Sequence, residues 1–179
     1  ATEFELAGKT CRLGAIGKGS GMIAPTSVPV IVYARENNIC QERLYRALAF
    51  SSLLTIYQKE FIGKLSAFCG AVSASCASGA AITYLVGGTL EQIKNTIGNV
   101  LANIPGIICD GAKISCAAKI ATSLDAAMMA HYLAMNNKAY QPDSGILQED
   151  AGETISCVGY IRKEGMKQTD KEIIKIMLQ

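Results

Sequence analysis

Tryptophan is absent from this chain of 179 residues, aromatic side chains make up 6% of it and charged ones 18%. The lysines and arginines are scattered, without aromatic residues between them, and the formal net charge is only +2. That balance supplies neither a basic field nor a stacking platform, and it excludes nucleic acid as the expected partner. The opening Ala1-Thr2-Glu3-Phe4-Glu5 is polar and acidic where a secretory signal needs a basic region and an apolar run. A reducing compartment, the cytoplasm, is the expected home. A start at Ala1 is expected of a processed chain or of part of a longer one. Between Leu65 and Val86 there is no charged residue. The stretch is long enough to raise the question of a membrane span, but it consists largely of Ala, Ser, Gly and Cys, with few Leu, Ile or Phe. It reads instead as a buried central helix whose small residues let neighbours approach closely. Strand patterns are nearly absent.

With 50% hydrophobic residues, the chain can bury one sizeable core. The expected fold is all-α, a single helical domain over residues 1–179 packed around the small-residue helix. Residues 1–24 read as a glycine-rich loop segment with room for one short strand. Helices are expected at about Val28–Asn37, Gln41–Lys59, Leu65–Val86 and Leu90–Asn103, the last capped by Thr89. Further helices are expected from Asp110 to Met135, near Gln148–Arg162, and over Gln168–Met177.

Seven cysteines stand at 11, 40, 69, 76, 109, 116 and 157. Cys109 and Cys116 frame Asp110-Gly111, and Cys69 and Cys76 repeat the seven-residue spacing. On an unbroken helix seven residues put two thiols on one face but about 10.5 Å apart along the axis. Asp110 as N-cap and Gly111 in a turn would instead place Cys109 before a helix and Cys116 in its second turn, where amides favour an anionic group. This is the pattern of a metal or cluster site; two buried core cysteines are the plain alternative. A zinc site of Cys69, Cys76, Cys109 and Cys116 is a further reading of the spacing. Cys11, Cys40 and Cys157 have no spaced partner. His131, beside Met128, Met129 and Tyr132, is expected to be partly exposed on its helix. Gly17-Lys18-Gly19-Ser20-Gly21 could wrap amides around a carboxylate or phosphate, although it is not a nucleotide P-loop.

Three segments together carry a resemblance: 63–71 (GKLSAFCGA), 107–117 (IICDGAKISCA) and 166–170 (MKQTD). They resemble the C-terminal half of the L-cysteine desulfidase family, which is related to the iron-sulfur L-serine dehydratases of the alpha-chain type. The resemblance runs from Gly17 to Met177 and implies a helical catalytic domain. It further implies a 4Fe-4S cluster bound by Cys69, Cys109 and Cys116, with one iron open to substrate. The implied activity is β-elimination of L-cysteine to pyruvate, ammonia and sulfide, with L-serine as the alternative substrate, and no pyridoxal phosphate. Gly19, Ser20 and Gly21 match the family's substrate-binding Gly-Ser-Gly. Asp110 and Lys113, beside the implied cluster, are candidates to orient the amino acid. The catalytic base is unassigned. Members of that family are about twice as long, so an N-terminal half or a second chain is the implied partner, and a non-catalytic helical subunit of a two-chain enzyme is an alternative. A homo-oligomer is also compatible, and no membrane partner is expected.

Overall fold

The computed structural model describes residues 2–6, 9–13, 24–63 and 66–179, with side chains described from residue 26 onward. Two strands, β1 (Thr2–Leu6) and β2 (Lys9–Leu13), form an antiparallel pair in which Thr2 faces Leu13 and Leu6 faces Lys9. A loop segment with room for one short strand was the expectation here. The alternation of Phe4 and Leu6 with Glu3 and Glu5 is a strand signal that the surrounding glycines obscure. The other regular elements are helices joined by loops: α1 (Ala24–Glu36), α2 (Gln41–Ile62), α3 (Gly70–Leu85), α4 (Leu90–Asn103), α5 (Cys116–Met135), α6 (Ala151–Tyr160) and α7 (Lys167–Met177). A π-helical turn, Ile161–Gly165, links the last two. The fold is a single all-α domain with this short strand pair at its start.

The small-residue helix is the centre of the bundle, as its composition predicts. Every residue of α3 except Tyr84 is buried, and the helix packs against α1, α2, α4 and α5. The approach to α5 is closest at Gly79, where an added Cβ would stand 3.0 Å from the Ala127 Cβ and 3.1 Å from the Ala127 carbonyl oxygen. On α5 the buried residues are Ser123, Ala126, Ala127, Ala130, His131 and Ala134, again nearly all small and at helical spacing. Larger side chains fill the space around this contact, with Leu101, Val100 and Ile155 on one side of α3 and Val30, Ile82 and Leu85 on the other. Each such side chain contributes about 1.5–3 kcal/mol on full burial. Among the described residues, no helix is long and apolar enough to cross a membrane.

The central helix begins at Gly70, five residues later than its uncharged run suggests, because residues 66–69 are extended instead. On α2 the buried line is Ala47, Ser51, Leu54, Gln58 and Ile62, with the expected Leu44 and Leu48 at its flank. Small and polar positions alternate with Leu54 and Ile62 along this line; Gln58 Nε2 donates to the Ser73 carbonyl across the contact at 3.2 Å. The cap at Thr89 forms as expected. Its hydroxyl accepts the Gln92 N–H at 3.2 Å and its own N–H donates to Gln92 Oε1 at 2.9 Å.

His131 departs from the sequence expectation. It is 2% exposed, and its Nδ1 lies 2.8 Å from Thr83 Oγ1, which in turn lies 2.8 Å from Thr96 Oγ1. These hydroxyls and the imidazole satisfy one another between α3, α4 and α5, which makes burial affordable. The neighbouring Met128, Met129 and Tyr132 suggest a surface stripe, but the 3.6-residue period puts His131 with Ala127 and Ala134 on the inner face. Burial pushes the His131 imidazole below its ordinary value of 6.5. The unfolded chain therefore takes up a proton at higher pH than the folded one. This contribution to stability is complete above pH 6.5 and falls as the pH drops below it. Urea titrations between pH 8 and pH 5 are expected to show that decline, and His131→Gln to flatten it.

Candidate active site

The site is built where the chain returns on itself before α3 and before α5. Phe68 pairs with Ile108 in an isolated antiparallel bridge. The Cys69 N–H donates to the Ile107 carbonyl at 2.7 Å and the Cys109 N–H to the Ala67 carbonyl at 2.6 Å. Successive residues of an extended chain alternate faces, so Cys69 and Cys109 occupy the face opposite Phe68 and Ile108, diagonally across the pair. Cys116 opens α5 on the far side of the loop. Its thiol lies 3.5 Å from the Lys113 N–H and 3.6 Å from the Gly111 carbonyl oxygen.

The helix after Asp110 starts six residues later than expected, at Cys116, and Asp110 is not its cap. Gly111 explains part of this. Its φ of +99° turns the chain out of any helical path, in a region side chains rarely adopt, and an added Cβ would also meet Met177 Cε at 3.0 Å. The Asp110 carboxylate is instead bound by two lysines, Lys113 and Lys119, the latter at 2.7 Å. Those two ammonium groups hold it well below the usual carboxylate range. Lys119 also donates to the Ile108 carbonyl at 2.8 Å. A residue that the sequence reading passed over thus spans the loop, and its signal was its place one turn after Cys116, on the same helix face.

Electrostatics tie the three thiols together. The Cys69 thiol is raised first by burial, lowered by the Ala71 N–H at the start of α3, raised by Cys109, lowered by Lys119 and raised by Cys116. Cys76 differs: burial alone pushes it up to about 12, and it sits in the packed core with Ala77, Ala80 and Leu101. The repeated seven-residue spacing therefore does not make a four-cysteine site. As the side chains stand, no group of three or more His, Cys, Asp or Glu among the described residues could hold a single metal ion. A polynuclear cluster spreads its thiolate ligands more widely than one ion does, and three soft thiols beside a helix N-terminus and a lysine are the donor set it takes.

Across from Cys109 lies α7. Ser66, Cys109, Gly111, Asp170, Ile173, Ile174 and Met177 line a groove of about 370 Å³. All three segments that carry the family resemblance thus meet at one place, 63–71 and 107–117 through the bridge and 166–170 through this groove. Gly19, Ser20 and Gly21 lie outside the described residues.

The chain has relatives among the serine dehydratase alpha chains. Residues 10–175 match the family described as serine dehydratase alpha chain. The chain belongs to that family. It is 50% identical over 163 residues to a UPF0597 protein of Treponema denticola, a match covering 91% of this chain and 38% of that protein. It is 47% identical over 165 residues to a UPF0597 protein of Finegoldia magna, covering 92% and 40%, and 50% identical over 164 residues to one of Lachnoclostridium phytofermentans, covering 91% and 39%. The chain therefore spans about two fifths of the length of these relatives. No solved structure matches it.

Because Gly111 combines a positive φ with the close approach of Met177, Gly111→Ala is expected to destabilise the domain by about 1 kcal/mol or more. Chemical denaturation measures this, and an unchanged midpoint would show that the loop relaxes freely.

Proposed function

We propose that this domain is the cluster-binding part of an iron-sulfur-dependent β-eliminating lyase that converts L-cysteine to pyruvate, ammonia and sulfide. The observation that supports it best is the convergence of Cys69, Cys109 and Cys116 on one site, with Lys119 beside them and Cys76 left in the core. These three thiolates would hold a 4Fe-4S cluster. Such a cluster supplies a Lewis acid at the iron that no cysteine binds. In the reaction a base removes the α-proton and the C–S bond breaks with its electron pair leaving on sulfur. The resulting enamine tautomerises and takes up one water to give pyruvate and ammonia.

The chain's own residues bind and orient. The groove between Cys109 and α7 admits a small amino acid beside the thiols, with Ile173, Ile174 and Met177 as an apolar wall. Lys113, its side chain about half exposed and paired with Asp110, is assigned the task of meeting a substrate carboxylate. Gly19, Ser20 and Gly21 are assigned the same task from their motif. L-serine is the alternative substrate, since an apolar wall accepts either β-substituent.

A second reading is that the domain works only with the rest of a longer protein or a second chain, or serves as the helical subunit of such an enzyme. Two observations favour it. The chain spans about two fifths of its relatives, and Ile114, 97% exposed, stands with exposed Ile108, Ile174 and Met177 around the site. Such a patch calls for a cover.

The test is anaerobic iron and sulfide content, together with pyruvate release from L-cysteine and L-serine. Cluster and turnover are expected, with the visible absorption abolished by Cys69→Ala, Cys109→Ala or Cys116→Ala and retained in Cys76→Ala. Cluster without turnover would select the second reading. A colourless protein after reconstitution with iron and sulfide would sink the cluster assignment.

A further inference from the structure

We propose that Lys119 is a positioning residue for the thiolate ligands, fixing the loop that carries Cys109 to the helix that carries Cys116 and supplying a permanent positive charge beside them. The inference rests on the cluster reading of the site. Lys119 lies three residues into α5, on the face of Cys116, with its side chain only 19% exposed. From there its ammonium makes two bonds into the opposite loop, to the Ile108 carbonyl at 2.8 Å and to Asp110 Oδ1 at 2.7 Å. The two acceptors flank Cys109 on either side. A single ammonium therefore holds the backbone carbonyl immediately before a candidate ligand and the side chain immediately after it.

The same charge is within electrostatic reach of both Cys69 and Cys109. Lys113 binds the same carboxylate from the exposed side, so Asp110 is shared between the two lysines and the trio keeps a net positive charge. Three thiolates gathered on one face repel one another, and so does a cluster that gains an electron beside them. A partly buried ammonium this close offsets part of both effects. Arginine would retain the charge but present a wider, planar fork; glutamine would keep a donor and lose the charge.

Lys119→Met, Lys119→Gln and Lys119→Arg in the full-length protein separate position from charge. In the metal-free protein, the Cys109 amide, which donates to the Ala67 carbonyl, is expected to exchange its hydrogen roughly tenfold or more faster in Lys119→Met, as charge-assisted bonds at the loop are lost. Amides within α3 should exchange as in the wild type, which reports that the bundle is folded. In the reconstituted protein, the cluster of Lys119→Met and Lys119→Gln is expected to have a more negative reduction potential, because a nearby positive charge favours the reduced form. Lys119→Arg should restore the potential. Unchanged Cys109 exchange in Lys119→Met, or a wild-type potential in both neutral variants, would overturn the proposal. A wild-type protein that takes up no iron would instead overturn the cluster reading, and the exchange rates would still decide whether Lys119 holds the loop.

Discussion

Two backbone hydrogen bonds, from Cys69 to Ile107 and from Cys109 to Ala67, join segments about forty residues apart and bring the candidate site into being. Each contributes only about 0.5–1.5 kcal/mol on balance. Their effect is geometric: the bridge fixes the register of two irregular segments, so that the residue following each paired position turns to the same face. A slip of one residue in either segment would turn one cysteine away. The helices around it serve that register. α3 starts directly from Cys69 and α5 directly from Cys116, so two of the three thiols are held at the mouths of helices buried in or packed on the core.

The register is held firmly because the bundle is packed on small residues. Gly79 against Ala127 leaves no space for a side chain at the contact between α3 and α5. The same close packing leaves room between helices only for compact polar groups. Thr83, Thr96 and His131 occupy it as a mutually bonded set, whose members would each be costly to bury alone. Small-residue packing thus governs how the core accommodates its polar residues.

Much of this was legible in the sequence, and the part that was not has a common cause. An uncharged run of Ala, Ser, Gly and Cys has one economical use in a chain with no membrane span among its described helices, and the central helix follows from it. Thr89 announced a cap, which the structure completes as a capping box with Gln92. What local pattern could not give was the path of the loop. Asp110 has the chemistry of an N-cap, yet Lys119, nine residues on, takes its carboxylate, and Gly111 at a positive φ sends the chain away from helical geometry. The inner side of α5 was hidden for a similar reason, since the methionines and tyrosine near His131 mark its outer surface. Backbone path and helix phase decided these cases, and composition is silent about both.

The cysteines show why spacing is a weak guide and surroundings a strong one. Cys69–Cys76 and Cys109–Cys116 share a seven-residue interval, but the thiols meet different fates. At Cys76 burial acts alone, so the thiol stays protonated and behaves as a small apolar side chain. At Cys69 burial is opposed by the Ala71 N–H and by Lys119, while the two neighbouring thiols raise it further. The groups that favour a thiolate and the groups that would repel one are therefore gathered at the same point. For the proposed cluster, Lys119 would supply fixed positive charge beside Cys69 and Cys109, offsetting part of the repulsion among their thiolates before any cation joins them.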